Sequence, residues 1–313
     1  MSYKNVYIDI SGYCNAMCRW CVTYNERHIQ VKRRFLSPYD FSKILLRLIK
    51  IRAVDGSTIF NLHNWGEPSI NKDFSNIIDI LTRNSFNWGF STNASIFPNI
   101  QNNDFSLLKS LTISMPGFSQ ASYDIIHGFN FNGVLGNINN YVTLLGNFSG
   151  RILIHFHVYQ FNLGEIIHAH AYASGLNVRF HASCAFINNI TNMIRYLQGI
   201  LSEKDLYDAS KTLLLFYVND LISTMPQDYV CPQLSYLTLD EFGNVLQCCA
   251  LSRTHKYYSI GSIFDLTLDE IIENRKKSPA CGPCLDSGAA YWAHNPRTFD
   301  YFSILKKQCN ASQ

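Results

Sequence analysis

The 313-residue chain lacks a long hydrophobic run, since no apolar stretch reaches the roughly 18 residues that a membrane span requires. It also lacks a signal peptide. Its first residues, MSYKNVYIDI, alternate as a strand does and do not form a charged head followed by an apolar run. The sequence therefore predicts a soluble cytoplasmic protein with no membrane partner.

Charge is scarce and nearly balanced. Charged residues make up 16% of the chain and the net charge is +3, too small a basic excess to indicate nucleic-acid binding. Hydrophobic residues make up 47%, which is enough for a substantial core. The composition indicates one large domain, or one with a small appendage.

Cysteine, by contrast, is plentiful, with ten in the chain. Thiols stay reduced in the cytoplasm, so a disulfide framework is not expected. Clustered cysteines in such a chain indicate metal or redox chemistry.

Strand and helix patterns alternate over the first two thirds of the chain. This alternation predicts parallel strands with right-handed crossovers, in a doubly wound sheet or an incomplete barrel. Ser37 and Pro38 are typical of a helix start, and one apolar stripe follows, made of Phe41, Ile44, Leu45, Leu48 and Ile49. The predicted strands are 5–10, 57–63, 88–93, 110–115, 151–159 and 176–182, and the predicted helices are 37–51, 73–83, 133–146 and 163–174.

The pattern changes after about residue 225. Residues 236–249 predict a β-hairpin that turns at Gly243, where a positive φ is available. A helix over 267–277 and a loop at ACGPCLDSG follow. The predicted domains are 1–225, a smaller α+β module at 226–300, and a tail at 301–313.

Three cysteines without a fourth lie in SGYCNAMCRWC, where Cys14, Cys18 and Cys21 have the spacing CxxxCxxC. Three thiolates on one loop can hold three irons of a 4Fe–4S cluster. The fourth iron then stays open to a substrate or cofactor. A zinc ion with an outside fourth ligand is the alternative, although zinc sites favour paired CxxC units.

This spacing, with Trp20 before the last cysteine, resembles that of the radical S-adenosylmethionine (radical SAM) enzymes. NWGEP at 64–68 resembles their GGEP motif, whose backbone helps bind the SAM amino group, with Trp65 in place of the first glycine. STNAS at 91–95 resembles their T-N-G segment. The resemblance assigns SAM contacts to Trp20, Gly66, Glu67, Pro68, Asn93 and Ser114.

Residues 114–131 resemble the S-x-D-G…Y…R-G-x-x-F stretch of the peptide- and carbohydrate-modifying branch, with Pro116 and His127 replacing Asp and Arg. The resemblance implies an incomplete (β/α)6 TIM-like barrel followed by an Fe–S module. It also implies that SAM is cleaved reductively to a 5′-deoxyadenosyl radical, which abstracts a hydrogen atom from the substrate. An electron donor such as flavodoxin or ferredoxin is an implied partner.

A second set of cysteines lies in the C-terminal module and comprises Cys231, Cys248, Cys281 and Cys284. Its spacing resembles the twitch domain, a shortened SPASM domain. Because only Cys309 remains downstream, the resemblance implies one auxiliary 4Fe–4S cluster. A zinc ion on the same thiolates is the alternative. Cys249 could replace Cys248, but neighbours in a strand face opposite sides, so only one should reach the cluster.

Two spare thiols, Cys184 and Cys249, are candidate hydrogen-atom donors of the kind found in epimerising relatives. An ordinary buried thiol is the alternative for each. His157 shares one face of the fifth strand with His155 and is a candidate substrate contact or proton carrier. A structural histidine is the alternative there.

The first predicted strand begins close to Met1, which leaves no room for an N-terminal peptide-recognition domain. We therefore expect a small carbohydrate or aminocyclitol-like substrate that is oxidised or epimerised. A peptide maturase or epimerase is the enzymatic alternative. A non-catalytic scaffold with two zinc sites is the alternative of another class.

Overall fold

The computed structural model describes residues 2–298 and has a mixed α/β fold built on one nine-stranded sheet. The strands are β1 (Asn5–Ile8), β2 (Ile59–Asn61), β3 (Asn87–Thr92), β4 (Leu108–Met115), β5 (Ile152–Val158), β6 (Arg179–Cys184), β7 (Tyr236–Leu239), β8 (Asn244–Leu246) and β9 (Ser259–Ser262). The predicted α/β class and all six predicted N-terminal strands are confirmed.

The helices include every helix that the sequence predicts and several that it does not. They are α1 (Val22–Asn25), α2 (Pro38–Lys50), α3 (Phe74–Arg83), α4 (Gln120–Ile126), α5 (Phe131–Leu145), α6 (Ile166–Gly175), α7 (Ile190–Leu197), α8 (Glu203–Thr212), α9 (Val218–Ser223), α10 (Leu268–Lys276), α11 (Cys281–Asp286) and α12 (Ala289–His294). Among residues 2–298, no helix combines the length and apolarity that a membrane span requires.

The strand order is β6-β5-β4-β3-β2-β1-β7-β8-β9, and the seven strands β1 to β7 run parallel to one another. Alternate side chains of the parallel strands are almost fully buried and form the core. They include Val6, Ile8, Phe60, Trp88, Leu111, Ile113, Ile154 and Phe156. The side chains between them point to the other face of the sheet.

Helix α2 forms where its sequence signals place it. The Ser37 side chain accepts a hydrogen bond from the Asp40 amide, and Pro38 occupies the first helical position. Four of the five predicted stripe residues are buried, but Ile49 is 40% exposed. The apolar stripe of α2 is therefore narrower than predicted.

The C-terminal module continues the N-terminal sheet, because β7 pairs in parallel with β1 along its whole length. The predicted hairpin is confirmed by the antiparallel pairing of β7 with β8 and by Gly243 at φ 80°. Cys248 and Cys249 follow β8 in a turn, so the alternation expected for strand neighbours does not apply to them.

The segment ACGPCLDSG was predicted as a loop, but its central residues form α11. Pro283 falls in the first turn, where a missing amide proton breaks no intrahelical hydrogen bond. The predicted tail at 301–313 and Cys309 lie outside the described residues.

Asn71 ties the end of β1 to the chain that precedes α2. Its side-chain amide donates to the Ile10 carbonyl at 2.6 Å and to the Leu36 carbonyl at 3.1 Å, and the residue is 2% exposed. These bonds join the loops that follow β1 and β2.

We expect Asn71→Ala to lower the free energy of unfolding by roughly 1–3 kcal/mol, because it leaves the Leu36 carbonyl buried without this donor. Asn76→Ala is the matched control. Asn76 is exposed, and within the described residues its side chain makes a single hydrogen bond, to the Asp73 side chain, so we expect a change below about 0.5 kcal/mol. Urea unfolding measures both values, and equal effects would contradict this role of Asn71.

Candidate functional site

The three N-terminal thiols lie on the loop that follows β1, at the carboxyl edge of the parallel sheet. Cys21 is the residue before α1, and its side chain makes no capping hydrogen bond, although Thr23 and Tyr24 lie close enough to favour the thiolate form of its sulfur. Arg27 donates to the carbonyls of Cys14 and Ala16 and so fixes the loop backbone.

Burial opposes ionisation of these thiols. Burial, and next the Glu67 carboxylate, raise the pKa of Cys14 to about 12. Burial, and next the Cys21 and Cys14 thiols, raise the pKa of Cys18. Burial also raises the pKa of Cys21, although the nearby Thr23 and Tyr24 oppose the rise. Iron cations would relieve this penalty, because thiolate is the ligating form. The donor set therefore fits a cluster of three ligated irons.

In the described part of the chain, no three His, Cys, Asp or Glu side chains converge closely enough to bind a single metal ion. Thiolates on a cubane cluster each bind a different iron, so they lie farther apart than ligands of one ion. Neither cysteine set is thus a preassembled single-ion site.

The loop at 64–66, which contains the predicted motif, is held by Asp9. This fully buried carboxylate accepts hydrogen bonds from three successive amides, those of Asn64 (2.9 Å), Trp65 (3.0 Å) and Gly66 (3.0 Å). The Thr23 hydroxyl donates to the Trp65 carbonyl at 2.8 Å, which links this loop to α1. Asp9 and Thr23 were not predicted as site residues.

Glu67 was predicted as a SAM contact, but its carboxylate accepts hydrogen bonds from other groups of the protein. It accepts from the Ser69 amide (3.0 Å), the Thr92 hydroxyl (2.7 Å) and the Asn93 amide (2.8 Å). The Asn93 side chain in turn lies 4.0 Å from the Cys14 sulfur. Glu67 therefore joins the ends of β2 and β3 beside the three-cysteine loop.

Two glycines allow these loops to approach one another. A Cβ atom on Gly66 would lie 1.6 Å from the Ser11 carbonyl oxygen, and one on Gly12 would lie 2.2 Å from a Glu241 carboxylate oxygen. Both distances are far inside van der Waals contact, so a larger residue would require the backbone to move at Gly66 and the Glu241 side chain to move at Gly12.

The side of the sheet opposite the apolar core carries polar side chains, which we call the polar face. It comprises Tyr7, His63, Ser91, Ser114, His155, His157, His181 and Ser183. Ser114, His155 and His181 are register partners, and paired residues of parallel strands point the same way. His155 Nε2 lies 2.8 Å from the Ser183 hydroxyl, and the rings of His155 and His157 are 4.4 Å apart.

Burial lowers the pKa of three histidines of the polar face, to about 4 for His63 and His157 and to about 2 for His155. They are neutral near pH 7, so each ring can both donate and accept a hydrogen bond. Ser114, predicted as a SAM contact, lies 3.5 Å from Ser91 on the same face.

The second cysteine set lines one cavity of about 110 Å³. Its remaining walls are mostly apolar, and its four thiols belong to Cys231, Cys248, Cys281 and Cys284. The fully buried Arg275 lies nearby and donates to the carbonyls of Gln233, Tyr236 and Gln247. Four thiols around one apolar cavity beside a buried cation fit an anionic thiolate-bound cluster.

The adjacent thiols Cys248 and Cys249 differ in their surroundings. The neighbouring Cys249 thiol is the main reason why the pKa of Cys248 falls below its ordinary value, and the same interaction raises the pKa of Cys249. Only Cys248 lines the cavity, whereas Cys249 is close enough to Tyr7 to contribute to its raised pKa.

Cys184 and Trp20 lie apart from these contacts. Cys184 is fully buried beside the Tyr217 hydroxyl, and its amide donates to the Arg297 carbonyl. The Trp20 indole donates to Thr212 at 3.2 Å and lines a cleft of about 610 Å³ between the three-cysteine loop, α4 and α8.

No protein-family model matches the chain, and no curated protein matches it. Solved structures do. SuiB of Streptococcus suis, solved with precursor peptide SuiA, is 14% identical with a TM-score of 0.58, and the match covers 90% of this chain and 66% of SuiB. The chain thus spans just under two thirds of SuiB's length.

Two further structures match over most of their length. The structure of anSMEcpe with bound AdoMet (SAM) is 14% identical with a TM-score of 0.53, and the match covers 98% of this chain and 99% of anSMEcpe. The structure of BtrN with AdoMet and 2-DOIA is 14% identical with a TM-score of 0.50, and the match covers 88% of this chain and 84% of BtrN. All three matched proteins are radical SAM enzymes. This chain has the fold of radical SAM enzymes.

We expect Gly66→Ala to destabilise the protein by about 3 kcal/mol or more, because the new Cβ overlaps the Ser11 carbonyl. The matched control is Gly56→Ala, where a Cβ meets nothing within 4 Å and we expect a change within about 0.5 kcal/mol. Thermal unfolding tests the pair, and a stable Gly66→Ala variant would contradict the packing of these loops.

His157 should make stability depend on pH. Its folded pKa of about 4 lies below the ordinary value of 6.5, so between these values the unfolded chain binds a proton that the folded chain does not. Stability should fall as pH falls through this window, by up to about 1.4 kcal/mol per unit.

Urea unfolding at about pH 7.5 and about pH 5.5 measures this dependence. We expect His157→Gln to reduce this dependence without abolishing it, because His63 and His155 also have lowered pKa values. His28→Gln, a control at an exposed loop position, should leave it unchanged. An unaltered pH dependence in His157→Gln would show that His157 does not titrate differently in the two states.

Proposed function

We propose that the protein is a radical SAM enzyme that abstracts a hydrogen atom from a small carbohydrate or aminocyclitol-like substrate, giving oxidation or epimerisation. The observation that carries this proposal is the three-thiol loop with no fourth cysteine, held against the motif loop at 64–66. When bound there, a 4Fe–4S cluster supplies the electron that cleaves SAM.

The chain's own residues have distinct parts in this proposal. Cys14, Cys18 and Cys21 ligate three irons, and the backbone at 64–66 binds the SAM amino group. Asn93 and Ser114 supply polar contacts to SAM, and Trp20 lies beside the adenine. Glu67 and Pro68 act by fixing the loop backbone, because the Glu67 carboxylate is already used by three internal donors.

The second cysteine set would hold an auxiliary 4Fe–4S cluster, with Cys248 rather than Cys249 as the ligand. This choice is supported by the cavity, which Cys248 lines and Cys249 does not. Cys249 is left as the candidate hydrogen-atom donor, because it lies near Tyr7 on the polar face. Cys184 fits the packing role better, since it is fully buried.

The polar face supports a substrate rich in hydroxyl or amino groups. Neutral imidazoles and hydroxyls offer both donors and acceptors to such a molecule, and His157 is one of them. A peptide is the second candidate substrate, supported by the similarity to SuiB and anSMEcpe, both solved with peptides bound. A flavodoxin or ferredoxin would supply the electron.

The test is the iron and sulfide content of anaerobically reconstituted protein. We expect roughly eight irons in the wild type and roughly four in the Cys14→Ala/Cys18→Ala/Cys21→Ala variant. Four irons falling to none would leave the second set as zinc or empty. Zinc in both sites would reject radical chemistry and favour the non-catalytic scaffold.

The substrate class has its own test. Reduced enzyme is incubated with SAM and either 2-DOIA or a short peptide, and the release of 5′-deoxyadenosine is compared with the release without addition. Stimulation by the aminocyclitol alone would support the small-molecule substrate. Stimulation by peptide alone would overturn it in favour of the maturase.

A further inference from the structure

A buried ion-pair network connects the C-terminal module to the loop at 64–66. Arg253 donates from its two terminal guanidinium nitrogens to the two carboxylate oxygens of Glu241, at 3.0 and 2.8 Å. The same guanidinium lies 3.6 Å from the Asp9 carboxylate. The side-chain exposures are 7% for Arg253 and 0% for each acid.

Arg253 is thus the cation that faces both buried carboxylates. Without it, Asp9 and Glu241 would be buried charges of like sign, and one would have to protonate or move away. Movement of Asp9 would release the three amides that it holds at 64–66, because among residues 2–298 no other side chain accepts hydrogen bonds from them.

A neighbouring contact acts on the three-cysteine loop. The amide and hydroxyl of Thr254 donate to Glu26 at 3.3 and 3.2 Å. Glu26 caps the C-terminal end of α1, the helix that begins directly after Cys21. Two consecutive residues of the C-terminal module therefore hold both loops that the proposed SAM site needs.

We infer that Arg253 is a positioning residue for the SAM-binding loop, acting through Asp9, and that the C-terminal module thereby completes the SAM site. This role is additional to holding an auxiliary cluster. The inference rests on the proposed function, since it takes the loop at 64–66 as the place where the SAM amino group binds.

The experiment compares Arg253→Met with a matched control, Arg34→Met. Arg34 also joins the N-terminal part to the module, by a 2.8 Å hydrogen bond to the Glu241 carbonyl, but the acid that it contacts is Asp40 and not Asp9. Arg253→Lys keeps the positive charge but loses the bidentate contact with Glu241, so we expect it to bind SAM more tightly than Arg253→Met and more weakly than the wild type.

Two quantities are measured on anaerobically reconstituted protein, the Kd for SAM and the hydrogen exchange of the amides at 64–66. We expect Arg253→Met to keep the wild-type iron content, to weaken SAM binding by about tenfold or more, and to exchange these amides faster. Arg34→Met should change the Kd by less than about twofold.

Wild-type SAM affinity and unchanged exchange in Arg253→Met would overturn the inference. An equal loss of affinity in Arg34→Met would also overturn it, because general attachment of the module would then explain the effect. If the wild type itself binds no SAM, the proposed function fails, and the exchange rates still decide whether Arg253 holds the loop. If Arg253→Met does not fold, Glu241→Gln, which loosens Arg253, takes its place with the same expected direction.

Discussion

The Asp9 carboxylate is the constraint on which the candidate site depends. It lies just beyond β1, in the middle of the sheet, and accepts three successive backbone amides from the loop after β2. A buried carboxylate is tolerated only when donors surround it, and these amides meet that requirement. These three hydrogen bonds hold the backbone of the loop at 64–66 close to the backbone of Ser11.

The parallel pairing of β1 with β7 extends the effect of Asp9 to the C-terminal module. It places β1 at the junction of the two parts of the sheet, so the loop after β1 contacts the N-terminal loops on one side and the C-terminal module on the other. Gly12 permits the close approach of Glu241 from that module. Residues of both parts of the chain therefore meet at the loop after β1, beside the candidate site.

Local patterns were sufficient to predict the elements that carry the site. The capping pair Ser37 and Pro38 located α2, and apolar alternation located the six N-terminal strands. The Gly-Pro pair in CGPC was wrongly interpreted as part of a loop, because proline is tolerated in the first turn of a helix and Pro283 lies in the first turn of α11. Residues that act over long range, such as Asp9, Glu241 and Arg253, were not predicted, since their partners are distant in the sequence. Only Asp9 had a local signal, because it is an acidic residue at the end of a largely apolar predicted strand.

The central claim is that the three-cysteine loop leaves one iron open for SAM. The most direct measurement is the electron paramagnetic resonance spectrum of the dithionite-reduced protein before and after SAM is added. The account predicts two cluster signals, of which only one changes with SAM, and that signal is absent from the variant lacking Cys14, Cys18 and Cys21. A cluster signal from that loop that does not respond to SAM would contradict the account.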